Sequence, residues 1–236
     1  MCNQMVCPMP DGSSEIKNRI EDSFFLSVPI KGINSLQKSL EKTIEGEVIS
    51  GYTYKGRSID AKKRALMVTM PNVLVVHLQR IAFSMETFNN EKINSYCEFP
   101  NTLDLREYSY HGVMGREGLL KTPEQKAALE EAIRALEGQE DKQEELEDLM
   151  AQRDPEEDDC YTYKLVGCNV HHGTADSGHY WSYINTNRQK PDNVEEWMHT
   201  ENDPWMEFND RRVEDTRFSS LAGRCFGNAK NGRQQG

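Results

Sequence analysis

The chain has 236 residues, room for one large domain or two small ones, and its 36% hydrophobic and 28% charged residues give a core beneath a strongly polar surface. A formal net charge of −11 argues against nucleic-acid and anionic-membrane partners and suits a basic one. No apolar run approaches the ~20 residues of a membrane span.

Six cysteines, Cys2, Cys7, Cys97, Cys160, Cys168 and Cys225, stand at scattered spacings. The N-terminus shows no signal-peptide pattern, so the expectation is reduced thiols in a cytoplasmic or nuclear protein.

Residues 1–20 are polar and poorly patterned, and an irregular start is expected. Cys2 and Cys7 could begin a zinc knuckle, but a structural zinc site usually draws four ligands in close pairs, and no second close pair follows. Residues 22–30, DSFFLSVPI, alternate enough to predict a strand. Over 34–45, Leu36, Leu40 and Ile44 share one face of a short amphipathic helix with Asn34 or Ser35 as N-cap. The densest apolar run, Val73-Leu74-Val75-Val76, follows Pro71 and predicts a central strand, with His77 and Arg80 at its far end. Residues 91–105 read as a strand, a proline turn and the start of another strand.

The stretch 121–157 differs in character. Thr122 and Pro123 start a helix and Gln125 completes a capping box. Gly138 interrupts the pattern, Glu144 to Met150 resume it, and Pro155 closes it. The prediction is a Glu-rich helical pair, or one bent helix, inserted between strand patterns. It supplies much of the negative charge and reads as a solvated flap, with a docking site for a regulator as the other reading.

The most informative stretch is 161–184. Tyr161 to Val170 form a β-rich arm apolar on both faces, as in a buried strand. Gly173-Thr174-Ala175-Asp176-Ser177-Gly178 form a turn, and His179-Tyr180-Trp181-Ser182-Tyr183-Ile184 form a second arm. A histidine opening a strand after a mobile Gly-rich turn is fixed yet accessible, which suits proton transfer. An incidental histidine on a surface hairpin is the plainer alternative. Downstream, Trp205-Met206-Glu207-Phe208-Asn209-Asp210 is another short strand ending in a carboxamide and a carboxylate. Either could orient an imidazole, the third role in a Cys–His–Asn/Asp triad.

Gly-x-x-x-Ser-Gly-His-Tyr-x-x-Tyr-Ile followed by Trp-x-x-Phe-Asn-Asp resembles the histidine box of the ubiquitin-specific proteases, papain-like cysteine deubiquitinases. Residues 22–45, 71–83 and 91–105 resemble other segments of that family, and Arg224-Cys225-Phe226-Gly227 resembles its large, fat-facets-like branch. The resemblance implies an α+β, papain-like fold: the fingers and palm part of the ubiquitin-specific protease domain, an antiparallel sheet with an inserted acidic helical segment. It divides residues 1–236 into fingers and palm at roughly 20–115, the helical insertion at 121–157 and a histidine-box palm at 160–228.

It also implies roles. His179 would be the general base, Asn209 its orienting partner, and Asp210 the reserve. Asp176, Ser177, Gly178, Tyr180 and Trp205 would contact the substrate, ubiquitin or a ubiquitinated protein. His77 would be structural. The family often carries two Cys-x-x-Cys pairs in its fingers, but here the second position reads Gly51-Tyr52-Thr53-Tyr54-Lys55-Gly56, so no metal and no other cofactor is expected.

Two family features are missing. No cysteine sits in a Gly-x-x-Asn-x-Gly-Asn-[Ser/Thr]-Cys-[Tyr/Phe] box, and the apolar-aromatic final strand is absent. Cys168 lies mid-strand in apolar surroundings, where a raised pKa would leave it inert. The expectation is a deubiquitinase domain whose nucleophile is absent from this chain. The alternative is an inactive ubiquitin-binding or scaffold module of the same fold.

Overall fold

The computed structural model describes residues 1–158, 160–188 and 203–227. Most of the expected 185–203 connection and the Gly-, Asn- and Gln-rich end, expected to fray, lie outside the described residues. In chain order the first strands and helices are β1 (Cys2–Pro8), β2 (Ser14–Ile20), β3 (Leu26–Pro29), α1 (Leu36–Glu45), β4 (Glu47–Tyr54), β5 (Arg57–Leu66), β6 (Val76–Gln79), β7 (Ile81–Ser84), β8 (Asn89–Lys92) and β9 (Thr102–Asp104). They are followed by α2 (Tyr110–Arg116), α3 (Pro123–Leu136), α4 (Gln143–Met150), β10 (Thr162–Lys164), β11 (Gly167–Gly173), β12 (Gly178–Asn185), β13 (Trp205–Asn209), β14 (Arg212–Thr216) and α5 (Phe218–Cys225). The chain forms two compact units, one of residues 1–24, 41–74 and 105–161, the other of 25–40, 75–104 and 162–236.

The first unit holds a four-stranded antiparallel sheet in the order β2-β1-β5-β4. The N-terminus, expected to be irregular, is a strand of this sheet. Cys2 and Gln4 share one face and are buried, although hydropathy does not mark Gln4 as core. Gln4 is tolerated because its amide is satisfied: Arg64 Nε donates to Gln4 Oε1 (2.8 Å) and Gln4 Nε2 donates to Asn18 Oδ1 (3.0 Å). The chain of bonds continues from Asn18 Nδ2 to the Tyr110 hydroxyl (3.0 Å) and from that hydroxyl to Asp154 Oδ1 (2.9 Å). Cys2, Leu66, Tyr110, Val113 and Met114 form the adjoining core. The β4–β5 connection is the two-residue turn Lys55-Gly56 with φ of +47° and +73°, the left-handed geometry a tight hairpin needs.

The 121–157 segment forms a helical pair rather than one bent helix. α3 starts on the expected capping box between Thr122 and Gln125, with Pro123 in the first turn. The chain breaks at Gly138, φ +85°, before α4. It is more firmly seated than a flap. Ile133 and Leu136 are buried, Asn18 N donates to Ala151 O, and the buried Asp154 carboxylate accepts from Lys121 N (2.9 Å).

The second unit holds the sheet β11-β12-β13-β14, antiparallel throughout. α5 packs on one face of it. Phe218, Leu221 and Cys225 recur at helical spacing, and Leu221, Cys225 and Phe226 cluster with Tyr183 and Trp205.

Two strand expectations are corrected here. The run at Val73–Val76 is not a central strand: Val73 and Val75 are exposed, the strand begins at Val76, and it pairs with β3 alone, in parallel. Apolar density cannot tell a buried strand from an exposed approach to one. The arm Tyr161–Val170 is two strands. β10 pairs with β9, then the chain re-enters at Gly167 to pair with β12, and β11 is half exposed. In α1 the cap is Ser35, whose Oγ accepts from Lys38 N.

Candidate functional site

The register of β11 and β12 sets His172 opposite His179, Val170 opposite Trp181 and Cys168 opposite Tyr183. β13 extends the sheet with Glu207 opposite Tyr183. Alternation along each strand therefore puts His179, Trp181, Tyr183, Glu207 and Asn209 on one face. At the end of that face His179 Nε2 lies 2.6 Å from Asn209 Oδ1. An amide oxygen only accepts, so Nε2 carries the proton and Nδ1 presents its lone pair outward. The imidazole is half exposed. Trp181, next on the same face, lies near-parallel to it at 6.2 Å between ring centroids.

Asp210 enters differently from what strand alternation predicts. It has left β13 and occupies the two-residue turn into β14 at φ +53°. Its Oδ2 thereby reaches 3.8 Å from the same Nε2. Both candidates approach one nitrogen, and Asn209 alone is at hydrogen-bond distance.

The turn before His179 is closed by its own groups. Thr174 N donates to Ser177 O (2.8 Å) and Ser177 N donates to Thr174 Oγ1 (3.2 Å), leaving Asp176 and Ser177 on an exposed tip. Gly178 is required sterically, since a Cβ there would overlap the His172 carbonyl oxygen and the His171 ring. Tyr180 points to the opposite face from His179, where it stacks on His171 at 4.4 Å. Trp205 corrects a sequence expectation. It is 1% exposed, sealed by α5 and tilted against Phe218, so it presents no surface to a substrate. The sequence suggested otherwise because nothing local marks 218–225 as the helix that covers it. Sequence reasoning also missed Lys92. Its ammonium donates to the carbonyls of His171 (2.8 Å) and Gly173 (3.1 Å), tying the end of β8 to the turn that carries the site.

Cys168 is on the same face but four residues along β11 from His172, a separation of about 13 Å at a strand's rise. It is half-buried, and its Sγ donates weakly to Asn169 O (3.9 Å). Its pKa is lowered, because the Cys225 thiol hydrogen-bonds to it and Arg80 lies near, against the opposing effect of burial. Cys2 and Cys7 do not suit a shared zinc ion. Five positions apart on a regular strand, they face opposite sides of the sheet, and burial pushes the Cys2 thiol up to about 11. Among the described residues no group of three or more His, Cys, Asp or Glu is placed to hold a metal ion. No helix among them is long and apolar enough to cross a membrane.

Residues 1–226 match the family model described as ubiquitin carboxyl-terminal hydrolase. The chain belongs to this family. Among its relatives is mouse ubiquitin carboxyl-terminal hydrolase 34 (Mus musculus), 27% identical over 217 residues, a match covering 90% of this chain and 5% of that protein. The Drosophila melanogaster protein named probable ubiquitin carboxyl-terminal hydrolase FAF is 27% identical over 215 residues, 85% of this chain and 6% of its own, which places the chain beside the fat-facets-like members. A solved structure of the SAGA DUB module containing Ubp8 bound to monoubiquitin superposes with a TM-score of 0.62 at 18% identity, covering 97% of this chain and 38% of that one. The fold is thus the α+β, papain-like fold of the ubiquitin-specific proteases, of which this chain is a part. The chain spans about one twentieth of the length of the curated relatives cited here.

Proposed function

We propose that this chain is the histidine-and-asparagine part of a thiol-dependent deubiquitinase, a cysteine-type hydrolase of the bond after ubiquitin's C-terminal glycine. The contact between His179 Nε2 and Asn209 Oδ1 carries the reading. With Nε2 held as donor, Nδ1 is the nitrogen that draws a proton from a cysteine thiol, and the resulting imidazolium is steadied by the amide oxygen and by Asp210 at longer range. The thiolate attacks the carbonyl and water later clears the thioester. The exposed tip at Asp176 and Ser177 lies over the ubiquitin tail, with Gly178 and Tyr180 flanking it. On this reading 20–115 and 160–228 are fingers and palm, 121–157 is the insertion, and the protein works in the cytoplasm or nucleus.

On this reading the nucleophile is supplied from outside these 236 residues, because none of their cysteines sits in the family's Cys box and Cys168 stands about 13 Å from the imidazole's strand position. That same distance favours a second reading for the chain by itself: a module that binds ubiquitin and performs no hydrolysis. A ubiquitin probe with a C-terminal electrophile separates the two. A gene product extended to include a Cys box upstream of Met1 is labelled, labelling is lost in His179→Ala, and Asn209→Ala slows it roughly 10²-fold. The 236-residue chain is not labelled. Absence of labelling in the extended product defeats the enzymatic reading, and labelling of the short chain shows that one of its own cysteines serves.

A further inference from the structure

The hairpin that carries His179 lies at the edge of its sheet, with β11 outermost. A Cβ at Gly178 would overlap the His172 carbonyl oxygen, so that oxygen faces β12. Carbonyls alternate along a strand, and those of His171 and Gly173 therefore face outward, where an edge strand has no ladder partner. Lys92 meets both. Its ammonium donates to His171 O (2.8 Å) and Gly173 O (3.1 Å), spanning the last two pairs of the ladder, His172 with His179 and Gly173 with Gly178. All of these residues belong to the second unit.

Lys92 is rooted in anchored chain. It closes the β7–β8 ladder opposite Ile81. The next residue is held from both sides by Arg80: Ile93 N donates to Arg80 O (2.7 Å), and Arg80 Nη1 donates to Ile93 O (3.1 Å). The same guanidinium donates to Ser95 O (3.0 Å) and to the carbonyl of Phe226, which follows α5 (3.3 Å). A strut thus runs from the end of α5 through Arg80 and Lys92 to the turn. On the reverse face of the hairpin the His171 ring stacks on Tyr180 at 4.4 Å and abuts Gly178.

We propose that Lys92 is a positioning residue for His179, holding the end of the β11–β12 ladder and with it the 2.6 Å contact between His179 Nε2 and Asn209 Oδ1. Beyond the pair of His172 with His179 the ladder has one further pair and a turn closed by its own groups. An end of that kind has few cooperative contacts and opens first when a restraint is removed. Hydrogen bonds from an ammonium are stronger than those between neutral groups, and here two of them act on alternate residues of one strand. Lys92 acts through these backbone carbonyls. Displacing a catalytic base by about 1 Å can cost on the order of 10²-fold in rate. The role rests on the reading of His179 as the general base, and it predicts a loss in the chemical step rather than in affinity.

The test follows hydrogen exchange by NMR on the 236-residue chain and probe labelling on the extended gene product. In Lys92→Met the His179 ring N–H and the amides of Thr174 and His179 exchange roughly tenfold faster than in the wild type, while the amide of Tyr183, farther along β12, keeps its rate. In the extended product the same variant lowers the saturating labelling rate roughly 10- to 100-fold and leaves the half-saturating probe concentration within about twofold. Lys92→Arg keeps the charge and the donors and retains most of the protection and of the rate. Wild-type exchange of the ring N–H in Lys92→Met overturns the proposal, as does faster exchange spread evenly over the sheet, which marks a general loss of stability. A fall in probe affinity at an unchanged saturating rate overturns it too. The exchange measurement needs no activity, so it condemns or sustains the strut even where the extended wild type is not labelled and the enzymatic reading fails.

Discussion

At the scale of single residues, the site depends on which atoms can only donate and which can only accept. Asn209 Oδ1 at 2.6 Å fixes the tautomer of His179, and the carboxylate of Asp210 at 3.8 Å adds charge without competing for the bond. A second polar arrangement beneath the sheet matters for stability. Lys164 and Asp203 pair at 2.7 Å with both side chains almost fully buried, and Asn185 and Asn187 donate to the same carboxylate at 2.8 and 3.0 Å. Burial pushes the Asp203 carboxyl upward, but the donors from Lys164, Asn185 and Asn187 outweigh it and hold it below the usual carboxylate range. A carboxyl depressed in the folded state stabilises the fold above its unfolded value, about 3.9, and that contribution drains away as pH falls through the lower folded value. Asp203→Asn strands the Lys164 ammonium in a buried site and should cost about 3–5 kcal/mol at pH 7. Urea midpoints measured at pH 7 and at pH values below the unfolded carboxylate range check this. The wild-type protein should lose stability across that interval more steeply than the variant, and parallel curves would contradict the assignment.

At the scale of elements, the hairpin β11–β12 is held at its turn from inside and outside. Its regular register depends on Gly178, because the His172 carbonyl and His171 ring occupy the space a Cβ would need. Lys92 holds the turn from outside through two carbonyls. Gly178→Ala should destabilise the protein by about 1–3 kcal/mol and displace His179, its neighbour. In the extended gene product, probe labelling should fall further than the stability loss accounts for. Wild-type labelling by the Ala variant would mean that the turn tolerates the shift and that Gly178 does not position the site. The helical pair α3–α4 illustrates the reverse case, where local signals sufficed: Thr122, Pro123 and Gln125 start the helix by backbone hydrogen bonding that needs no tertiary partner.

At the scale of the whole molecule, the charge is unevenly spread. Residues 121–158 contain 14 Asp and Glu against five Lys and Arg, so they account for most of the net −11. A field of that sign speeds approach of a basic partner and is screened by salt over roughly a 10 Å Debye length at about 0.1 M. If the 236-residue chain binds ubiquitin through its basic tail, the association rate should drop several-fold between roughly 0.05 and 0.5 M salt while dissociation changes little. Surface-plasmon resonance at several salt concentrations measures both rates. A salt-independent association rate would show that the acidic field plays no part in capture.

Sequence by itself fixed the features that depend on neighbours along the chain: the capping box of α3, the amphipathic face of α1, the Gly-rich turn, and the aromatic strand that opens with His179. The resemblance to the histidine box also pointed to the pairing of His179 with Asn209, where the residues alone left Asn209 and Asp210 both open. Tertiary structure decided what depends on partners distant in sequence. The N-terminal strand was illegible because Gln4, a buried polar residue, is made tolerable only by Arg64 and Asn18. Trp205 read as a substrate contact, whereas α5 covers it. Hydropathy and spacing record what a side chain is, whereas burial, hydrogen-bond satisfaction and thiol acidity depend on what other segments bring against it.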